Sequence, residues 1–322
     1  MTGIEIVGHR AYRGRYPENT RIAFDKAVEA GVDVIETDLQ MSHDGVVVVN
    51  HDVDTGRMWN QTFVIKDTPW ERLSQLHCNV DGYQDQKMLT LRDALQWLMD
   101  RPTVKLMLDI KFTNEKLILQ KTLAEMRLLQ PDLQFWRSRI IWGLWKVDWY
   151  RYAVETGVIK DFDVVCISLS LQVARAFVDY SESLKTPHYK LHGISVHYVS
   201  TWSHEFQSQW FQIIQNHGIK VYVWTINKES DFKYCGSLPI SGYVTDFPQR
   251  AKASLAKYKK PGKQVFQKPA WNSIEGIRFY VFLAAYIGVQ SMVFWPWSHV
   301  KIIGQWSLSY VVLRLLRWIH FL

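Results

Sequence analysis

Up to about residue 248, apolar positions alternate between two spacings along this chain. Short β-branched runs read as buried strands: Ile4–Gly8, Val34-Ile35 leading into Glu36-Thr37-Asp38, Val46–Val49, Leu106–Ile110, Ile140–Leu144, Val164–Ser168, Gly193–His197, Lys220–Thr225 and Gly242–Asp246. Between them, helical spacing predicts helices over Arg21–Ala30, Thr90–Met99, Glu115–Leu129 and Leu171–Tyr180. Asn19 or Thr20 suits the N-cap of the first helix and Gly31 its C-terminus. About eight β-α units in about 250 residues predict an α/β fold, a TIM (β/α)8 barrel. A doubly wound open sheet would carry a Gly-rich phosphate turn after its first strand, and Gly8-His9-Arg10-Ala11 is not one.

Several of these strands end in ionisable side chains. His9-Arg10 follows the first, Glu36-Thr37-Asp38 the second and His51-Asp52 the third, while Asp109-Ile110-Lys111 closes the fourth. Glu36 and Asp38 are two apart, as are Asp109 and Lys111, so each pair shares a strand face. In a barrel, functional groups sit at the C-terminal strand ends, which is where these residues fall. Three carboxylates without clustered cysteines suit a hard divalent cation: Mg2+ or Ca2+, with Mn2+ a further candidate. Arg10 and Lys111 suit a phosphate, and His9 and His51 suit general acid/base work near neutral pH. His197 either lines the pocket or fills the upper barrel layer, and Trp224 with Asn227 reads as pocket wall. Each residue alone has an ordinary structural reading; their shared position at strand ends identifies an active site.

Charge divides the chain. From Gln249 onward lie 11 of its 38 Lys and Arg but one of its 31 Asp and Glu, so the net charge of +7 leaves −3 for residues 1–248. That distribution argues against nucleic acid and for an anionic membrane surface met by the tail. The expected organisation is a catalytic barrel over 1–248, a basic linker over 249–268 holding Pro261 and Gly262, and a hydrophobic membrane-anchoring tail over 269–322. Two apolar stretches, Ile277–Trp295 and Ile302–Leu322, each approach the ~20 residues of a bilayer span. Arg278, Arg314 and Arg317 interrupt them and would have to reach an interface, and Trp295, Trp297, Trp306 and Trp318 suit a headgroup belt. The tail therefore reads as an inserted hairpin or interfacial helices ahead of a single span or a soluble helical cap. Cys78, Cys166 and Cys235 form no metal-ligand spacing, and no secretory leader is visible. These features predict a membrane-associated, cytosol-facing protein on the endoplasmic reticulum, a lipid droplet or a mitochondrial membrane.

The motifs as a set resemble the glycerophosphodiester phosphodiesterase family. They are Gly8-His9-Arg10, Pro17-Glu18-Asn19-Thr20, Glu36-Thr37-Asp38, His51-Asp52, Leu108-Asp109-Ile110-Lys111, Trp224-Thr225-Ile226-Asn227 and Thr245-Asp246-Phe247-Pro248. The resemblance covers residue 3 to about 248. It implies a TIM barrel, His9 and His51 as acid/base residues, Glu36, Asp38 and Asp109 on a divalent cation, and Arg10 and Lys111 at the phosphate. Two positions depart from the family: Ala11 stands where most members have Gly, and Asp109 where most have Glu. Over its full length, tail included, the chain is similar to a fungal branch of the family that cleaves phosphatidylglycerol. The expected activity is hydrolysis of that lipid to diacylglycerol and glycerol phosphate. The alternatives are a membrane-tethered enzyme for soluble or lyso glycerophosphodiesters and an inactive lipid-binding barrel.

Overall fold

The computed structural model describes residues 3–257, 270–293, 301–303 and 306–307. The chain runs through β1 (Glu5–Gly8), α1 (Arg21–Glu29), β2 (Val34–Met41), β3 (Val47–Val49), α2 (Trp70–Leu73), α3 (Leu91–Met99), β4 (Lys105–Ile110), α4 (Leu117–Leu129) and α5 (Leu133–Arg137). It continues through β5 (Ile140–Leu144), α6 (Val147–Glu155), β6 (Asp163–Ser168), α7 (Leu171–Ser183), β7 (Gly193–His197), α8 (Phe211–His217), β8 (Lys220–Trp224), α9 (Glu229–Cys235), β9 (Gly242–Thr245), α10 (Pro248–Lys257) and α11 (Ile274–Val293). The expected caps are in place: the Thr20 hydroxyl accepts the Ala23 N–H, and Gly31 adopts a left-handed φ of 82° after α1.

Eight parallel strands close in the order β1-β2-β4-β5-β6-β7-β8-β9, with β9 returning to β1 through Val7↔Val244 and Gly8↔Thr245. This is the expected TIM barrel. The expectation differs at one strand. Val47–Val49 does not join the ring; β3 pairs antiparallel with the end of β2, through Leu39↔Val49 and Met41↔Val47. Only a short turn, ending in Asp44-Gly45, separates β2 from β3, and Gly45 takes the φ of 81° that a tight hairpin requires. A crossover helix cannot fit there, so the strand must fold back.

Alternation along the strands divides the barrel interior into layers. Val7, Val34, Met107, Ile141, Val165, Tyr222 and Val244, with Ile167 just above, form a buried inner cluster. Two residues further along the same faces come His9, Glu36, Asp109, Gly143, Ile167, Trp224 and Asp246. A third step reaches Asp38, Lys111 and Trp145. The inner floor is thus apolar and the mouth above it polar. The outer faces of the strands pack against the helices as a larger core, with Phe24, Trp97, Trp136, Tyr150 and Phe177 fully buried.

The first part of the basic segment is helical. Pro248–Lys257, predicted to be linker from residue 249, is a helix packed against β1 with Ala251 and Ser254 buried. The rest of the predicted linker, residues 258–268, lies outside the described residues, as does nearly all of the second apolar stretch. The first apolar stretch forms α11. Phe279 stacks on Trp202 at 4.7 Å, and Phe279 and Tyr286 are buried against the barrel. Arg278, expected to seek an interface, instead pairs with Asp231 at 2.9 Å and donates to the Tyr198 hydroxyl at 3.0 Å. The outward face of α11 keeps Ile274, Ile277, Val281 and Ile287 exposed, beside Trp271 just before the helix. Among the described residues, no helix is long and apolar enough to cross a membrane.

Candidate active site

The strand ends bring the predicted residues together. Asp38 and Asp109 lie side by side because β2 and β4 pair with Asp38↔Asp109 in register, and Glu36 stands one layer deeper on the same face of β2. Oxygen atoms of Glu36, Asp38 and Asp109 all lie within 4.8 Å of one another, and all three side chains are buried. Lys111 Nζ is 2.8 Å from Asp38 Oδ1 and 2.5 Å from Asp109 Oδ2. Arg10 reaches over the same cluster: its backbone N–H donates to Glu36 Oε2 at 2.7 Å, and its Nε is 3.7 Å from Asp38 Oδ2. To do so the turn places both Arg10 (φ 49°) and Ala11 (φ 70°) in the left-handed region. A side chain at Ala11 therefore carries a backbone strain that glycine would not.

Electrostatics divides the three carboxylates. Burial, with the neighbouring Asp38 and Asp109 charges, raises Glu36 well above the usual carboxylate range. Burial also raises Asp109, against the pull of Lys111. Asp38 goes the other way: burial opposes its charge, but Lys111, His51 and Arg10 together hold it well below the ordinary value. Lys111 resists burial through Asp109, Asp38 and Glu36 and stays firmly charged. A buried, all-oxygen donor set under mutual repulsion is the chemistry a hard divalent cation relieves, so the residues present fit one.

The two histidines flank this cluster by different routes. His9 ends β1, and barrel closure sets its Nδ1 2.7 Å from Asp246 Oδ1 at the end of β9. Asn227 holds that carboxylate in turn, donating to Asp246 Oδ2 at 2.7 Å while its own oxygen accepts the Asp246 N–H at 2.9 Å. His51 arrives on the hairpin, not on a barrel strand. The Asn50 N–H donates to the Asp38 carbonyl at 3.0 Å, and His51 Nδ1 lies 2.9 Å from Asp52 Oδ1. In the tautomer that gives Nδ1–H to the carboxylate, each ring keeps its free lone pair on Nε2. Burial lowers the pKa of His9, and burial with the nearby Arg10 charge lowers that of His51 to about 4.

Several contributors carried no role in the sequence reading. Glu18 accepts from Arg10 at 3.0 Å and from Arg57 at 2.5 Å, Arg57 also donates to Asp52 Oδ2 at 2.6 Å, and Arg13 lies 3.6 Å from Glu18 and 3.7 Å from Asp246, linking both histidine flanks through one ionic chain. Trp145 donates its indole N–H to Asp109 Oδ1 at 2.5 Å. The strand alternation Ile141-Gly143-Trp145 points it inward, a signal the sequence contains. His197 resolves toward packing: it is buried, its Nδ1 accepts the Val199 N–H, and its ring sits 5.2 Å from Trp224. Trp224 stands half-buried at the mouth, edge-on to Trp145 at 6.2 Å.

Known proteins match this chain over the barrel. Residues 9–250 match the model of the glycerophosphoryl diester phosphodiesterase family. A glycerophosphodiester phosphodiesterase of Bacillus altitudinis is 27% identical over 261 residues, covering 77% of this chain and 96% of that protein. A lysophospholipase D of Mus musculus is 25% identical over 281 residues, covering 78% of this chain and 86% of its own. The structure of an Oleispira antarctica phosphodiesterase in complex with the product sn-glycerol-3-phosphate superposes with a TM-score of 0.63 at 20% identity, covering 78% of this chain and 96% of that one.

Proposed function

The chain belongs to the glycerophosphoryl diester phosphodiesterase family and is a phosphoric diester hydrolase; from that premise, we propose that it is a phospholipase C-type enzyme acting on phosphatidylglycerol at a membrane surface. The observation that carries the chemical part is the pair of partly buried histidines, each with Nδ1 on a carboxylate, beside three clustered carboxylates and the cations Arg10 and Lys111. Glu36, Asp38 and Asp109 would hold the divalent cation, which supplies neutralisation of charge on the phosphate oxygens. Mg2+, Ca2+ and Mn2+ all suit this donor set.

The headgroup glycerol of phosphatidylglycerol has a hydroxyl on the carbon adjacent to its phosphoester carbon. One histidine, neutral at pH 7, removes that proton through Nε2, and the freed oxygen attacks phosphorus. The other, protonated in the presence of the anionic phosphate, gives its proton to the departing diacylglycerol oxygen. The P–O bond to diacylglycerol breaks as the cyclic phosphate forms. Water then opens the ring to glycerol phosphate, with the histidine roles reversed. Arg10 and Lys111 grip the phosphate through both stages.

Support for a bilayer substrate comes from the tail. The exposed apolar residues of α11 follow the basic stretch Arg250–Lys268, a pairing that suits the headgroup layer of an anionic membrane. Such a membrane on the cytosolic side of an organelle is the proposed location.

A second reading follows from the lysophospholipase D relatives. A lyso lipid carries its free hydroxyl on the lipid side of the phosphate. The same attack would then expel the headgroup, and a tethered enzyme for lyso or soluble glycerophosphodiesters would result. A panel of phosphatidylglycerol, phosphatidylethanolamine, lysophosphatidylcholine and glycerophosphoglycerol, assayed with full-length and tail-deleted protein with and without chelator, separates the readings. The proposal expects phosphatidylglycerol to dominate, to need the cation and to lose turnover with the tail. Dominance of the lyso or soluble diester would replace it with the second reading.

A further inference from the structure

Asp109 has both carboxylate oxygens engaged by different elements. Oδ2 accepts from Lys111 at 2.5 Å, and the same ammonium lies 2.8 Å from Asp38 Oδ1. Oδ1 accepts the indole N–H of Trp145 at 2.5 Å. Trp145 stands just past the end of β5, beside β4, where Ile110↔Leu144 pairing aligns the two strands.

The indole is itself held in place. Phe112 lies edge-on at 6.1 Å and Trp224 at 6.2 Å, and Lys111 Nζ sits 5.3 Å from the ring centroid. Packing alone would accept any large apolar side chain at this position. Only the indole combines that shape with an edge N–H, and its acceptor here is a carboxylate of the acidic cluster. By contrast Trp136, a core tryptophan, donates to the backbone carbonyls of Met126 and Gln130.

We propose that Trp145 is a positioning residue for the divalent cation: its N–H fixes the rotation of the Asp109 carboxylate so that Oδ2 is presented to the cluster formed with Glu36 and Asp38. A short carboxylate has little reach, so a few tenths of an ångström in its rotation decide whether three oxygens converge. The inference rests on the cation site of the preceding section and assigns Trp145 no contact with the reacting atoms.

The test is Mn2+ binding to full-length protein, read by calorimetry and by electron paramagnetic resonance of free Mn2+. Trp145→Phe should weaken affinity about tenfold or more, with its melting temperature in chelator close to that of the wild type. Replacing Trp145 by benzothienylalanine, which keeps the indole outline without the N–H, should give the same loss even if phenylalanine disturbs packing. Turnover of either variant should fall at low Mn2+ and recover as Mn2+ is raised. Wild-type affinity in the benzothienylalanine protein would overturn the role of Trp145. Failure of the wild-type protein itself to bind Mn2+, Mg2+ or Ca2+ would instead overturn the cation site.

Discussion

His9 Nδ1 and Asp246 Oδ1 stand 2.7 Å apart although 237 positions separate them in sequence. They meet because the first and last barrel strands pair, so closing the ring also completes half of the proposed proton-transfer machinery. Asp246 resists burial through its hydrogen bond to His9 and keeps a pKa of about 2, so it stays ionised beside the ring. Asp246→Asn keeps the size but presents no charge to the ring and favours the wrong tautomer. We expect kcat to fall about 100-fold to 10,000-fold with KM little changed, measured by steady-state kinetics on protein whose circular dichroism matches the wild type.

Cation binding should be visible in stability as well as rate. Glu36, Asp38 and Asp109 repel one another in the buried cluster, and a bound divalent ion reverses that penalty. At 100 times its Kd the ion should add about 2.7 kcal/mol to the unfolding free energy. Thermal melts with and without chelator check this. Asp38→Asn should abolish most of the ion-induced rise, and chelator should remove activity.

The pH dependence of the cation-free protein follows from His51. An unfolded imidazole takes up a proton below about pH 6.5, whereas folded His51 stays neutral down to about 4. Its lowered pKa thus contributes stability that is complete above pH 6.5 and is lost as pH falls toward 4. Relative to His51→Gln, the wild type should lose about 3 kcal/mol across that window. Denaturant titrations of both proteins between pH 4 and 8 measure the difference.

Arg278 ties α11 to the barrel through Asp231 and Tyr198. Arg278→Met leaves the buried Asp231 carboxylate without its main counter-charge and should cost about 2–3 kcal/mol. Adding Asp231→Asn should restore part of that loss. Chemical denaturation of the two single variants and the double variant reads the coupling.

The barrel and most of its mouth were legible in the sequence because one rule generates both. Alternation with a period of two carries Val34 to Glu36 to Asp38 and Met107 to Asp109 to Lys111, from apolar floor to polar rim. What escaped had weaker local signals. Val46–Val49 has the composition of a barrel strand, and only Asp44-Gly45 marks it as a hairpin return. Helix α10 buries only Pro248, Ala251 and Ser254, so no large apolar residue repeats through its basic sequence. Arg278 meets Asp231 from 47 positions away, and the Glu18 link to Arg57 spans 39. Such pairings depend on the completed fold and leave no local pattern.

The most direct measurement is product identity from phosphatidylglycerol. Purified full-length protein should release diacylglycerol and glycerol phosphate from mixed micelles, with cyclic glycerol phosphate detectable early by mass spectrometry, and should turn over phosphatidylethanolamine poorly. Release of phosphatidic acid and glycerol, or equal rates on both lipids, would contradict the account.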